Sequence, residues 1–481
     1  MTPVGPRRIV AADGSAGVEL DNLSDPSALA PRPRTLGQLL AHPGFSAPPA
    51  FALTPFAARS LLQLARTPHR YGFAFSALGS APHMMAFEGA AGFSPLARGD
   101  GFDFGDPGAA ATRAVFEMLE RVWSTDTPDD RLVAASRDEL GDKALEPRAF
   151  ALLSDEEYAT TGDRFVPYAS QLRLDWTPAR RLRRGGLGEP ALAPALLVFP
   201  GFGLQRPEQR FAPMLSPGLA AARRYDDALL GGLCEVVERD AFAVAWLLGL
   251  PPPRIAQPAH ALAADARHVV ETLAADGFDV TFHDLTSDVG LPVAMAAVRA
   301  KRPALGGGVT LGLGCHPRPG EALAKALREA MQLITNDFDF PGGVGLQHKP
   351  RPPLAAARAE VLEAFLSSES ISERRWEDTP QPHLGVPMPG LLLDAVEAVA
   401  RAGQDVWVCD LTPAGEERDL GFVLVRVLVP GLQPHLYEPD CWRLDSPRLA
   451  AAARRLGRGV PRMADVQRQP NPFAWETLDG G

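Results

Sequence analysis

The chain has 481 residues, of which 46% are hydrophobic and 22% charged, a composition typical of a globular protein with one large domain or two to three ordinary ones. Its formal net charge of −10 argues against a nucleic-acid-binding surface, and no apolar run reaches the roughly 18 residues of a membrane span. The four cysteines form no CxxC pair, which argues against a zinc site or a disulfide framework. Together with the lack of an export signal at the N-terminus, this favours a cytoplasmic location.

The first part of the chain leads to an acidic helix. Residues 1–69 are rich in Pro, Ala and Gly and are predicted to be a variable segment with one helix at 55–66. Residues 71–95 alternate weakly, as strands do. A Gly- and Asp-rich loop at 99–108 then precedes a helix that carries EMLER at 117–121. Such a loop can hold phosphate with backbone N–H groups, although an acidic loop needs a metal ion between itself and the phosphate.

A second ExxER sequence lies on the helix predicted at 231–246. Before it, the apolar run at 195–203 predicts a buried strand. On the helix, Glu235 and Glu238 project from nearly the same side, and Arg239 follows Glu235 by four residues. Two salt-bridged surface helices would explain the repeat. Two helices that together present four carboxylates would instead need hard cations between them, and Mg²⁺ ions usually hold phosphate oxygens.

The rest of the chain indicates a mixed α/β architecture. Helix–Gly–strand units are predicted at 266–283 and 391–410, which favours sheets covered by helices. Between them lies a strong helix that carries Lys325 and Glu329 at a spacing of four residues. The tail after residue 465 is interrupted by prolines.

With these segments in order, the chain from about residue 70 to the C-terminus resembles the YcaO family. The resemblance implies an α/β fold of the YcaO type, with sheets covered by helices and carboxylate-bearing helices that line a cleft for ATP and Mg²⁺. It divides the chain into a YcaO domain at 70–481, with a Pro-rich tail, and a segment at 1–69 that would dock a partner. It rests on five segments: EMLER, GLCEVVERDAF, HPRPGEALAKALREAMQ, DLTPAGEERDLGFVLVRVLVPGLQP and the closing NPFA.

The activity that the resemblance implies is ATP-dependent activation of a backbone amide in a ribosomally made precursor peptide. The favoured outcome is cyclodehydration of Cys, Ser or Thr to azolines, the step that leads to thiazoles and oxazoles. Thioamide or macroamidine formation by the same chemistry is an alternative, as is a catalytically degenerate homologue that acts as a scaffold. The chain is too short to hold an E1-like domain as well, so a separate leader-peptide-binding partner is expected, and homodimerisation is a family expectation.

The resemblance also assigns roles to residues. Pro217 and Arg113 depart from the family's usual Asn and Ser, and the loop at 102–108 departs from its Gly-Lys-Gly-x-Thr-like stretch. These departures leave open whether the loop still binds ATP. The implied Mg²⁺ ligands are Glu117, Glu120, Glu235 and Glu238; the implied catalytic residues are Arg239, Lys325 and Glu329; and the implied ATP-binding residues are Asp227, Arg239, Lys325 and Glu329.

Overall fold

The computed structural model describes twelve ranges of the chain: 8–10, 16–20, 71–78, 81–88, 98–125, 131–213, 216–301, 309–337, 354–377, 388–412, 422–435 and 441–466. The helix predicted at 55–66, most of the segment at 1–69 and the tail after residue 466 lie outside the described residues. Within the described ranges, every helix is too short or too polar to cross a membrane.

The strands form antiparallel sheets. Among the described residues, one sheet has the order β1-β2-β3-β4-β5 and a second the order β10-β11-β12; the third has the order β6-β7-β13-β14-β9, with β8 paired to β7. Their bounds are β1 Arg8–Val10, β2 Ala16–Leu20, β3 Tyr71–Leu78, β4 Ala81–Glu88, β5 Arg98–Phe102, β6 Val133–Ser136, β7 Arg173–Arg183, β8 Gly186–Pro194, β9 Leu219–Ala222, β10 Phe278–Asp284, β11 Val293–Ala300, β12 Val309–Cys315, β13 Val406–Asp410 and β14 Val423–Leu428.

Helices cover these sheets, as the sequence predicts for a mixed α/β fold. One long helix, α6, packs against β9 and β14 of the third sheet and also against β12 of the second, so it joins the two sheets. The helices are α1 Pro107–Thr125, α2 Arg137–Leu140, α3 Asp155–Thr161, α4 Ala195–Val198, α5 Phe202–Gln205, α6 Tyr225–Leu247, α7 Ala264–Asp276, α8 Pro319–Asp337, α9 Leu354–Phe365, α10 Met388–Arg401, α11 Pro447–Arg455 and α12 Met463–Val466.

Pairs of glycines let two helices approach their strands closely. On β5, a Cβ at Gly99 would lie 2.1 Å from the carbonyl oxygen of Ala114, and one at Gly101 would lie 1.9 Å from that of Ala110. The same relation holds between β12 and α8, because Cβ atoms at Gly312 and Gly314 would each lie 2.2 Å from a carbonyl oxygen of α8. Only glycine fits at these positions, so α1 and α8 lie against the backbone of their strands.

Most of the predicted elements are confirmed, and one is wrong. Strands β3 and β4 occupy the alternating stretch at 71–95, and both helix–Gly–strand units form, with Gly277 and Gly403 at positive φ after their helices. The stretch at 195–203 is not a strand but the two short helices α4 and α5, although most of it is buried. A short buried apolar run has no periodicity that separates a helix from a strand.

Candidate active site

Three helices bring five glutamates to one region. Glu117 and Glu120 lie on α1, Glu235 and Glu238 on α6, and Glu329 on α8. On α1 and on α6 the two glutamates are three positions apart, so each of these helices presents its pair of carboxylates on one face, and α8 contributes a single glutamate. The two pairs predicted from the ExxER repeats therefore do meet, since Glu120 and Glu235 interact electrostatically across α1 and α6.

A backbone N–H group from a strand or its approach holds each of the five carboxylates. One oxygen of each glutamate accepts such a bond, which fixes the carboxylate and leaves its second oxygen for another partner. The pairs are Asp100 N to Glu117 Oε2 at 2.7 Å, Ala221 N to Glu120 Oε2 at 3.2 Å, Gly218 N to Glu235 Oε2 at 3.0 Å, Cys315 N to Glu238 Oε2 at 2.8 Å, and Leu313 N to Glu329 Oε2.

Three cations of the described ranges lie among these carboxylates, and the first, Arg121, has its Nη2 atom 2.5 Å from Glu117 Oε1. The Nη2 atom of Arg239 is 2.8 Å from Glu329 Oε1, 3.5 Å from Glu238 Oε1 and 4.0 Å from Glu235 Oε1. The Nζ atom of Lys325 donates a hydrogen bond to the carbonyl oxygen of Cys315 at 3.1 Å. The predicted Lys325 and Glu329 pair thus lies beside the ExxER residues of α6, and Glu329 fixes the guanidinium of Arg239.

The site concentrates negative charge. Burial, followed by the charges of Glu235 and Glu117, raises the pKa of Glu120 well above its usual range. Burial likewise raises the pKa of Glu238 to about 7, against the opposing effect of Arg239 and Lys325. Burial, the largest single effect, would lower the pKa of Lys325, but the charges of Glu238, Cys234, Cys315 and Glu235 together outweigh it and raise that pKa. Five glutamates and three cations, Arg121, Arg239 and Lys325, make up this site, so its acidic groups outnumber its basic ones.

The residues present fit bound Mg²⁺. Hard carboxylate oxygens on rigid helices suit that ion, and the excess negative charge favours an additional cation. Within the described ranges, no three His, Cys, Asp or Glu side chains are close enough to hold one metal ion together. Mg²⁺ is usually bound by one or two carboxylates together with substrate phosphates and water, so paired glutamates from facing helices are an appropriate set of ligands.

Other predicted positions lie at the edge of this cluster. Asp227 is at the start of α6, about 12 Å along the axis before Glu235, so the structure does not bring it into the carboxylate cluster. Arg113 lies one turn before Glu117 and donates to Asp103 Oδ2 at 2.6 Å. In the altered loop, Asp106 Oδ1 accepts a hydrogen bond from Ala109 N at 3.2 Å. Asp106 therefore caps the N-terminus of α1, and Pro107 is the first residue of that helix.

Some residues that build the site were missed by the sequence analysis. Gly99 and Gly101 flank Asp100, and Gly312 and Gly314 flank Leu313, so the middle residue of each glycine pair donates its N–H to a glutamate of the packed helix. A Gly-x-Gly sequence at the end of a strand that precedes a helix was a signal for this close approach. Gln332 Nε2 also ties α8 to the carbonyl oxygen of Asp100 at 2.7 Å, and only the structure reveals this contact.

The sequence profile of a family described as YcaO cyclodehydratase, ATP- and Mg²⁺-binding, matches residues 105–433. An uncharacterized protein of Methanothermobacter thermautotrophicus is 26% identical over 348 residues, which are 69% of this chain and 80% of that protein. An uncharacterized protein in the tfuA 3′ region of Rhizobium leguminosarum bv. trifolii is 33% identical over 126 residues, 24% of this chain and 30% of that protein.

Three solved structures share the fold. A heterocyclase in complex with substrate and cofactor is 22% identical with a TM-score of 0.63, over 82% of this chain and 52% of that one. The heterocyclase TruD is 23% identical with a TM-score of 0.60, over 76% and 50% of the two chains. YcaO from Methanopyrus kandleri, bound with AMPPCP and Mg²⁺, is 22% identical with a TM-score of 0.53, over 75% and 85%. The chain thus spans about half the length of the two heterocyclases.

Proposed function

Because the chain belongs to the YcaO family, we propose that it is an enzyme that uses ATP to activate a backbone amide in a ribosomally made peptide. The family is ATP- and Mg²⁺-binding, so ATP and Mg²⁺ are the cofactors. The observation that carries the proposal is the convergence of two glutamate pairs, Arg239 and Lys325 in one cleft. The proposed outcome is cyclodehydration of Cys, Ser or Thr to azolines, since the family profile is that of cyclodehydratases.

Each group in the cleft has a role in this proposal. Glu117 and Glu120 on one helix and Glu235 and Glu238 on another hold Mg²⁺, with their strand N–H bonds keeping the carboxylates in place. When bound, Mg²⁺ neutralises and orients the phosphate oxygens of ATP.

The cations act on the phosphoryl group as it passes to the amide oxygen. Arg239 donates to its oxygens, and Glu329 keeps the guanidinium in place through the bond of 2.8 Å. Lys325 adds a second positive charge from α8. Such fixed charges are the main device in phosphoryl transfer, because the protein has little covalent chemistry to perform. The nucleophile belongs to the substrate, so Cys234 and Cys315, both buried, need no catalytic role.

The proposal also includes a peptide substrate and a partner protein. The heterocyclase that resembles this chain was solved with its substrate, and this chain spans about half of that protein. We propose a precursor peptide as the substrate and, from the resemblance to the family, a leader-peptide-binding, E1-like protein as the partner that delivers it. Thioamide and macroamidine formation begin with the same activation and are the alternative outcomes of this chemistry.

The test measures ATP binding and turnover by the purified protein in the presence of Mg²⁺. We expect Glu235→Gln and Glu238→Gln each to weaken magnesium-dependent ATP binding at least tenfold, since each removes a charged metal ligand. Glu363→Gln, at an exposed ion pair with Arg299, is the matched control and should bind as the wild type does.

Turnover distinguishes the two classes of function. With a synthetic peptide rich in Cys, Ser and Thr and the partner protein present, an enzyme of this kind releases phosphate and the peptide loses one water for each ring. An unaltered peptide with ATP bound would contradict the cyclodehydratase proposal. No ATP binding at millimolar nucleotide would instead favour a scaffold without catalytic activity.

A further inference from the structure

A group of arginines lies next to the glutamate cleft and has no role in the mechanism above. We call Arg113, Arg318 and Arg328 the arginine cluster. Arg113 is one turn before Glu117 on α1, and Arg328 directly precedes Glu329 on α8, so the cluster and the carboxylates are adjacent along both helices, about 5.4 Å per turn. Arg318 immediately precedes α8, on the face that also carries Lys325 and Arg328.

Several donors of the cluster are buried without a hydrogen bond. In the described part of the chain, Nε of Arg328 and Nη2 of Arg318 are both buried and have no hydrogen-bond partner. The guanidinium of Arg328 is instead 5.1 Å from the centre of the Phe104 ring and 3.9 Å from Glu321 Oε2. A buried donor without a partner has lost its hydrogen bonds to water without replacement, so these groups favour a ligand that accepts hydrogen bonds from them.

The positive charges also face each other. Arg113 binds Asp103 at 2.6 Å and Arg328 lies over the ring of the next residue, Phe104, so the two guanidinium groups lie close together; in keeping with this, burial and then the charge of Arg113 lower the pKa of Arg328 to about 10. The acidic groups that face them are Asp103, bound to Arg113 at 2.6 Å, and Glu321, with Asp265 acting on Arg328 from α7. Asp103 faces both arginines, yet among the described contacts it bonds only Arg113 of the two, and Nε of Arg328 keeps no hydrogen-bond partner. A single anion between them would relieve the repulsion and accept several donors at once.

We propose that Arg113 and Arg328, assisted by Arg318, form a subsite for one phosphate group of the bound nucleotide. This rests on the proposed function, since the nucleotide is the ATP of that reaction. A phosphate group suits the subsite because it carries more than one negative charge and several acceptor oxygens, and because the planar fork of arginine binds it through two parallel bonds. A polyphosphate chain would contact Mg²⁺ at the glutamates and the arginine cluster one helical turn away from them. The arginines of two helices would thereby take the place of the lysine in the family's Gly-Lys-Gly-x-Thr-like stretch, which the loop at 102–108 lacks.

The experiment measures binding by titration calorimetry with three probes: ATP with Mg²⁺, inorganic tripolyphosphate and adenosine. We expect Arg328→Met and Arg113→Gln each to weaken binding of ATP and of tripolyphosphate about tenfold to a hundredfold, the effect of one charge-assisted hydrogen bond. Adenosine, which has no phosphate, should bind to the variants as to the wild type. Arg328→Lys should recover part of the loss, because it restores the charge without the fork.

The control is Arg173→Gln, at an exposed ion pair on β7, which should change none of the three affinities. Wild-type protein that binds ATP, with variants that bind it equally well, would overturn the subsite and leave the proposed function intact. Wild-type protein that binds tripolyphosphate in an arginine-dependent way, but not ATP, would show that the cluster binds phosphate and would overturn both the nucleotide as its ligand and the proposed function. Equal losses of adenosine and ATP would reveal general damage, and arginine-dependent binding of an acidic peptide alone would assign the cluster to carboxylates; either result contradicts a phosphate subsite.

Discussion

Glu120 is the residue at which the two glutamate pairs meet. Its side chain is half-buried and lies near both Glu235 and Glu117, and the loss of hydration together with these two charges raises its pKa well above the usual range. The charge of Arg121 and the N–H of Ala221 offset only part of this effect. Without a bound cation, the residue that we propose as a metal ligand therefore destabilises the folded protein, as residues in functional sites often do.

We expect Glu120→Gln to raise the free energy of unfolding of the metal-free protein by about 1 kcal/mol, because it removes like-charge repulsion and keeps the shape of the side chain. The same change should abolish most of the stabilisation that Mg²⁺ and ATP give to the wild type. Urea unfolding with and without Mg²⁺ and ATP measures both effects. Glu208→Gln, at an exposed position, is the control and should change neither. A less stable variant that Mg²⁺ and ATP still stabilise fully would contradict the assignment.

At the scale of elements, two helix-on-strand units share one construction. In both β5 with α1 and β12 with α8, a pair of glycines admits the helix, and the residue between them donates its N–H to a glutamate of that helix. The close approach therefore sets the position of the carboxylate directly. Any side chain on these glycines would move the helix, since the nearest atoms belong to its backbone.

Gly312→Ala tests this construction. The new Cβ would lie 2.2 Å from both the carbonyl oxygen of Ala326 and the nitrogen of Ala330. Because neither backbone atom can rotate away, we expect α8 to shift, with a loss of about 1–3 kcal/mol in stability and at least a tenfold loss in ATP turnover. Thermal unfolding and phosphate release measure the two. Gly185→Ala is the matched control, since its Cβ would meet no atom within 4 Å. Full activity in Gly312→Ala would show that Glu329 and Lys325 do not depend on this packing.

The stability of the whole molecule should depend on pH through His283. This side chain is buried on β10, and its pKa is lowered to about 4, first by burial and then by Arg299 and Arg254, against the carbonyl of Pro252. A histidine whose pKa is lower in the folded protein than in the unfolded chain, where it is about 6.5, contributes stability above that value. The contribution is lost as the pH falls from about 6.5 towards 4, because only the unfolded chain takes up the proton.

At about 1.4 kcal/mol per pH unit, this amounts to about 2 kcal/mol between pH 7 and pH 5. We expect His283→Gln to lose correspondingly less stability than the wild type over that interval in urea unfolding, whatever its stability at pH 7. His268→Gln, on the exposed face of α7, should retain the wild-type pH dependence. Equal slopes for wild type and His283→Gln would mean that the pKa of His283 is not lowered in the folded protein.

Much of the site could be predicted because its chemistry depends on residues that are close together in the sequence. The ExxER repeats place two glutamates on one face of a helix, and this follows from 3.6 residues per turn without any knowledge of the partner helix. Likewise, Gly277 and Gly403 mark the ends of α7 and α10, since only residues that tolerate positive φ fit there. The short run at 195–203 was assigned wrongly because it carries no such pattern.

The sequence by itself determined the mixed α/β class, the faces of α1, α6 and α8, and the chemistry of hard acidic ligands beside cations, since each depends on residues within two turns of one another. Only the tertiary structure decided which faces meet. Glu120 and Glu235 are far apart in the chain, and so are Arg113 and Arg328, and each pair is brought together by helices seated on strands. That seating depends on Cβ atoms absent from Gly101 and Gly312 and on N–H groups that strands donate to glutamates. Each helix is close in the chain to the strand on which it packs, but the contacts between these units join residues 101 positions apart, such as Glu120 and Ala221, or 232 positions apart, such as Gln332 and Asp100, and no local pattern encodes them.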